Sequence, residues 1–192
     1  MPRKVKTFWG IYVVIIHTST QRNIIIYLFC TLYNQPTQLY KMTSKENFKL
    51  TGLKLKKKTF NANGQSAIDC GSLWQNFMSE AVADKITGKL SQDIYAVYFD
   101  YDGDHTQPYS FFIGCKVSDA ADTPDGLDSM NIPAQNYTVI TAKGKMPDCV
   151  ANAWQEIWKS DIDRAYGYDF EVYNELSADW GNAQVDIYLS VK

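Results

Sequence analysis

From residue 42 onward the apolar positions follow two alternating periods. Residues 48–57 alternate apolar and polar, which predicts a strand with one solvated face. Residues 66–86 carry Ile68, Trp74, Phe77, Met78 and Val82 at helical spacing, predicting a helix with that apolar stripe. Residues 94–101 and 109–117 are aromatic and β-branched, and Asp102-Gly103 between them marks a hairpin turn. The order then repeats. Residues 136–142 read as a strand and residues 147–159 as a helix, with Pro147 where a first helical turn tolerates a missing N–H. Residues 168–173 and 184–191 read as closing strands.

The pattern strand, helix, strand, strand therefore occurs twice, with residues 119–130 and their Pro124-Asp125-Gly126 turn as the linker. Local echoes support the match: Leu73-Trp74-Gln75 against Ala153-Trp154-Gln155, and Ala96-Val97-Tyr98 against Glu171-Val172-Tyr173. The expected fold is α+β, two βαββ units related by a pseudo-twofold, joined in one antiparallel sheet with two main helices. The echo sets Ala96 against Glu171, so a carboxylate breaks the repeat at that position.

Residues 1–41 differ from the rest. Two apolar runs, 8–16 and 24–33, are each shorter than the roughly 20 residues a membrane-spanning helix needs. The basic start imitates a signal peptide without a clean cleavage site. The expectation is a mis-called upstream start, or a weak anchor, with the domain proper at residues 42–192. The net charge of −2 does not favour nucleic acid as a direct partner, and no membrane partner is expected of the domain. Cys30, Cys70, Cys115 and Cys149 form no CxxC pair, so no zinc site, redox motif or other cofactor is expected, and the setting read from them is cytoplasmic.

Most charged motifs have plain readings. Asp100-Tyr101-Asp102-Gly103-Asp104 lacks the glycine and glutamate positions of a calcium loop and reads as a solvated hairpin turn. His105 lies in that turn, and one loop histidine makes a nucleophile–base pair improbable. Lysines 54 and 56–58 read as the solvated face of an edge strand. Trp154 and Trp158 share a helix face. Glu171 is different. Glutamate is a poor strand residue, and burying it unpaired is expensive. If it faces the aromatic core it needs a fixed lysine or arginine, a proton, or a cationic ligand.

Taken in order, Leu73-Trp74-Gln75-Asn76-Phe77, Ile94-Tyr95-Ala96-Val97-Tyr98, Tyr109-Ser110-Phe111-Phe112-Ile113-Gly114, Ile132-Pro133-Ala134-Gln135-Asn136-Tyr137, the Trp154 to Trp158 helix and Asp169-Phe170-Glu171-Val172-Tyr173 resemble the GyrI-like effector-binding domains. The resemblance covers roughly residues 48–192 and is nearest to the stand-alone, integron-cassette-like subgroup. It implies the SHS2-type duplication and a pocket for small amphipathic organic cations, with Glu171 at its floor. It further implies Trp74, Tyr98, Phe112, Trp154 and Tyr173 as ligand-binding residues. A separate regulatory protein is the implied partner, because residues 1–41 do not resemble the DNA-binding domain fused in related regulators. Two other functions compete with binding: a hydrolase using Glu171 as general base, and an interaction module such as a gyrase inhibitor. Binding without catalysis is the expectation.

Overall fold

The computed structural model describes residues 41–192, so the expectations for residues 1–40 lie outside the described residues. The strands are β1 (Lys41–Lys45), β2 (Phe48–Lys54), β3 (Lys89–Phe99), β4 (Ser110–Val117), β5 (Asp128–Ile132), β6 (Gln135–Gly144), β7 (Asp169–Tyr173) and β8 (Ala183–Ser190). The helices are α1 (Gln65–Ser79), the short α2 (Val82–Lys85) and α3 (Asp148–Lys159). All eight strands form one antiparallel sheet in the order β1-β6-β8-β7-β3-β4-β2-β5. The fold class is α+β, as the pattern predicts.

The strand order reads alike outward from the central β7–β3 pair: β8, β6 and β1 on one side, β4, β2 and β5 on the other. It is the order that two βαββ units would produce if paired through the first strand after each helix. At that centre Ala96 is the direct cross-strand partner of Glu171. Side chains opposite one another share a face, so the methyl of Ala96 leaves room beside the carboxylate.

Side-chain alternation divides the core in two. One face carries Ala96, Phe111 and Ile113 against Leu73 and Phe77 of α1, and Val185, Ile187 and Leu189 against Val150, Trp154 and Ile157 of α3. The other face is aromatic, built on Phe48, Phe99, Phe112, Tyr137 and Phe170. Lys45, Lys54 and Lys116 lie over Tyr188, Phe99 and Phe48 there, at 4.9, 5.2 and 5.0 Å from the ring centres, shielding apolar surface with their stems. Gly52 and Gly114 face each other across β2 and β4. A Cβ at Gly52 would fall 1.9 Å from the Ile113 carbonyl oxygen, and one at Gly114 2.3 Å from that of Thr51. Only glycine permits this close approach.

The helices differ from expectation in detail. In α3, Val150, Trp154 and Ile157 are buried at i, i+4 and i+7, with Asp148 in the first turn and Lys159 in the last, matching the helix dipole. The helix expected over residues 66–86 is instead broken at Ala81, which adopts φ 47°, so α1 and α2 change direction there. Its buried residues are Leu73, Phe77 and Val82, while Ile68 and Met78 point to solvent. The end of the expected linker forms β5, which pairs with β2. Consequently β2 lies inside the sheet, and the lysines after it are not on an edge strand: Lys58 instead bridges Asp100 at 3.2 Å and Asp102 at 2.5 Å, fastening the β3–β4 loop.

A fragment of residues 42–192 retains every strand pair except the Lys41–Val139 end of β1–β6. It is expected to melt cooperatively in one transition by circular dichroism. Aggregation of the fragment, relieved by restoring residues 1–41, would show that the leader belongs to the core.

Candidate functional site

β7 points two carboxylates, Asp169 and Glu171, at the helix-bearing face, and both are buried. They are satisfied in different ways. Asp169 Oδ2 accepts from Arg164 Nη2 at 2.5 Å and from the Tyr101 hydroxyl at 2.9 Å. Its Oδ1 accepts from the Ser190 N–H and hydroxyl, both at 2.7 Å. Arg164 is itself buried, and Tyr166 lies 4.3 Å from the guanidinium carbon, with Trp154 and Tyr101 at 5.7 and 5.9 Å.

Glu171 has no such counter-charge among the described residues. Its partners are three neutral aromatic donors. Oε1 accepts from the Trp154 indole N–H at 2.5 Å and the Tyr98 hydroxyl at 2.9 Å, and Oε2 from the Tyr173 hydroxyl at 2.6 Å. With 1% of its surface exposed, Glu171 is held above the ordinary carboxylate pKa by burial, against the pull of the three hydrogen bonds. Burial, and next the negative Glu171, raise the Tyr98 and Tyr173 hydroxyls well above the usual tyrosine range, so both remain donors.

Above this carboxylate opens a cleft of about 250 Å³ between α1 and α3. Ser66, Ala67 and Cys70 form its α1 side, and Ala151, Trp154, Gln155 and Trp158 its α3 side. Tyr98, Tyr101 and Tyr109 line it from the sheet, with Arg164 at its margin. The β3–β4 loop closes one end with His105, whose ring stacks on Trp158 at 5.6 Å and an interplanar angle of 6°. Asn61 holds that loop, accepting from the Tyr109 hydroxyl and donating to the His105 carbonyl, both at 2.7 Å. Burial lowers the His105 pKa, favouring the neutral ring. Burial, with Glu171 and Asp69 adding to it, pushes the Cys70 thiol up to about 12, so it is a poor nucleophile.

Four of the six residues implied by the resemblance come together: Glu171, Tyr98, Trp154 and Tyr173. The cleft wall is made by Tyr98 and Trp154, with the carboxylate behind them. Trp74 stands outside the cleft, edge-on to Tyr173 at 4.9 Å, and so props a donor of Glu171. Phe112 is on the opposite face. It pairs in register with Val97, one residue out of phase with Ala96, and is fully buried in the aromatic core. Period-two alternation excludes it from the cluster. Sequence reasoning missed Arg164, Tyr101, Tyr109, Cys70 and the wall role of His105. Only Trp158 carried a signal, its four-residue spacing from Trp154.

Residues 41–191 match the family described as "Integron-associated effector binding protein", Cass2. This chain belongs to that family. An integron cassette protein from Vibrio cholerae is 25% identical, with a TM-score of 0.62 over 81% of this chain and 97% of the other. SAV2435, solved bound to tetraphenylphosphonium, shares the fold at 18% identity and a TM-score of 0.64, over 80% of this chain and 93% of its own. The Bacillus subtilis protein YobU is 29% identical over 123 residues, 62% of this chain and 75% of YobU. Among the described residues of this effector-binding protein, no helix is long and apolar enough to cross a membrane.

Two predictions follow from the carboxylate pair. Asp169→Asn leaves Arg164 buried without its counter-charge and is expected to cost about 3–5 kcal/mol in denaturant unfolding. A loss under about 1 kcal/mol would mean the pair is solvated. Glu171→Gln is an isosteric change: Trp154 keeps an acceptor, and a tyrosine hydroxyl can turn to accept from the new amide. Because the folded-state pKa of Glu171 is raised, the unfolded chain releases that proton first as pH rises. Wild-type stability therefore falls relative to the Gln variant above about pH 4.5 until the folded-state pKa is passed. Thermal melts from pH 4 to 8 should show the variant gaining on wild type. Wild type gaining on the variant as pH rises would mean the three donors outweigh burial.

Proposed function

We propose that the cleft is a receptor for small aromatic cations and that Glu171 supplies the charge selectivity. One observation carries this reading: a buried carboxylate beside an aromatic cleft, with neutral donors only. Within the cluster, Asp169 and Arg164 cancel, leaving the single negative charge of Glu171 when it is ionised. The tetraphenylphosphonium bound to SAV2435 is likewise an aromatic cation, with four rings larger than the ligands this cleft suits.

The chemistry is indirect. Glu171 is buried behind the cleft wall with three of its roughly four acceptor sites taken, so a cation would rest on the faces of Tyr98 and Trp154. Donation of their O–H and N–H to a carboxylate polarises these rings and makes their faces more negative. A cation over them gains the cation–π attraction, on the order of 0.5–2 kcal/mol per ring, together with the field of the carboxylate in a poorly screened interior. The same arrangement serves general-base catalysis less well, since a base must reach the proton it takes and Glu171 is buried behind Tyr98 and Trp154. The cleft volume of about 250 Å³ suits a ligand of one or two rings.

The test uses phenyltrimethylammonium and tert-butylbenzene, which differ in charge and hardly in shape. Titration calorimetry on the full chain should find the cation bound more tightly. Glu171→Gln should weaken the cation by about 2 kcal/mol, the lower end of the range for a truncated buried charge pair, because rings intervene. Binding of the neutral compound should hold. Equal losses for both would reduce Glu171 to a packing role.

A further inference from the structure

The β3–β4 loop that closes one end of the cleft is tied down along its length. Lys58 bridges Asp100 and Asp102, and Thr59 and Tyr109 exchange backbone hydrogen bonds at 2.8 and 2.9 Å. At the tip, Asn61 Nδ2 donates to the His105 carbonyl oxygen. The His105 ring is placed separately. One face lies parallel to Trp158 of α3, and Nδ1 lies 3.4 Å from the Tyr166 hydroxyl. Both contacts survive a change of charge. An imidazolium over an indole makes a cation–π contact, and a tyrosine hydroxyl can donate to Nδ1 or accept from Nδ1–H. The ring therefore stays in the cleft wall with or without a second proton.

No other lining group changes charge in weakly acidic solution. Burial pushes the Cys70 thiol up to about 12 and the hydroxyls of Tyr98, Tyr101 and Tyr109 well above their usual range, and Arg164 stays charged. The charges facing His105 come from two elements. Asp104 on its own loop favours the protonated ring, and Arg164 from the segment after α3 opposes it. Trp158 and Tyr166 are its other neighbours. Burial outweighs Asp104, so His105 takes its proton below the ordinary histidine range.

We infer that His105 is a specificity determinant of the cleft, admitting cations while neutral and repelling them once protonated. The inference rests on the cation reading above. A neutral imidazole extends the aromatic wall, whereas an imidazolium sets a fixed positive charge beside the guest. Neutral compounds of the same shape enter either way. By linkage, a bound cation makes His105 harder to protonate by the same factor.

The probes are phenyltrimethylammonium, whose charge does not change with pH, and tert-butylbenzene. Titration calorimetry on the full chain from pH 8 to pH 5 should show the cation bound about fivefold more weakly once His105 is protonated, the scale of like charges partly screened across a cleft. The neutral compound should hold. Protonation of Glu171 also weakens the cation, so the decisive comparison is with His105→Gln, in which the fall should be smaller by that fivefold factor. A second readout is proton NMR of the wild type, where the His105 imidazole is told from that of His17 by its loss in the variant. Saturating phenyltrimethylammonium should lower its titration midpoint by about 0.7 pH, the same factor in logarithmic form, and tert-butylbenzene should leave it in place. An equal fall in His105→Gln overturns the role and leaves the cation reading standing. So does a midpoint that the cation leaves in place or raises, or that both compounds move alike. If the cation alone lowers the midpoint while Glu171→Gln weakens neither compound, the reading of Glu171 fails and the role of His105 survives. If the cation binds at no pH, both fail.

Discussion

A carboxylate at the centre of a sheet must be met by donors, and three elements are arranged so that Glu171 is met. Tyr98 comes from β3, Tyr173 from β7 itself and Trp154 from α3. The indole N–H can only donate, which pins α3 to β7 in rotation as well as in position. Val150 and Ile157 then complete the helix face that the sheet accepts. On the neighbouring strand the cross-strand residue must be small, and it is Ala96. The cleft follows, because α3 is held at the sheet by its indole while α1 packs further along through Leu73 and Phe77.

Two residues away the same strand buries Asp169 by another route, with a fixed arginine and three further donors. The contrast separates a carboxylate compensated by a fixed charge from one met by neutral donors alone. Asp169 carries its compensation within the fold. Glu171 is met by dipoles alone, so its charge, when ionised, is uncancelled within the fold, which is unfavourable and raises its pKa.

Most of the architecture was legible because it is written in local periods. The strands of the second half and α3 carry regular two- and 3.6-residue repeats over enough residues to fix type and face. Glu171 stood out because a glutamate inside an aromatic strand contradicts its surroundings. What was missed depends on contacts far apart in sequence. β5 is polar and short, and becomes a strand only because β2 offers it an edge. Ile68 and Met78 lie on α1 away from the face that buries Leu73 and Phe77, nine residues placing Ile68 about half a turn from Phe77, so both meet water. Phe112 was placed in the site on resemblance; the β3–β4 register, which sets Ile113 rather than Phe112 opposite Ala96, sends it to the other face and is not readable from sequence parity. Arg164 lies in an irregular segment, and only the fold brings it to Asp169.

The way Trp154 is held makes the site visible by light. Its indole is buried, bonded to a carboxylate and part of the cleft wall, beside Trp158 stacked on a histidine ring. Trp180, 66% exposed, emits from water and reports nothing of this region. A ligand lying on the Trp154 face changes the polarity around an excited state whose dipole already points at an anion. The protein thus carries a fluorophore in the wall of the cleft, hydrogen-bonded to the buried carboxylate, so that its emission would register a guest without any added label.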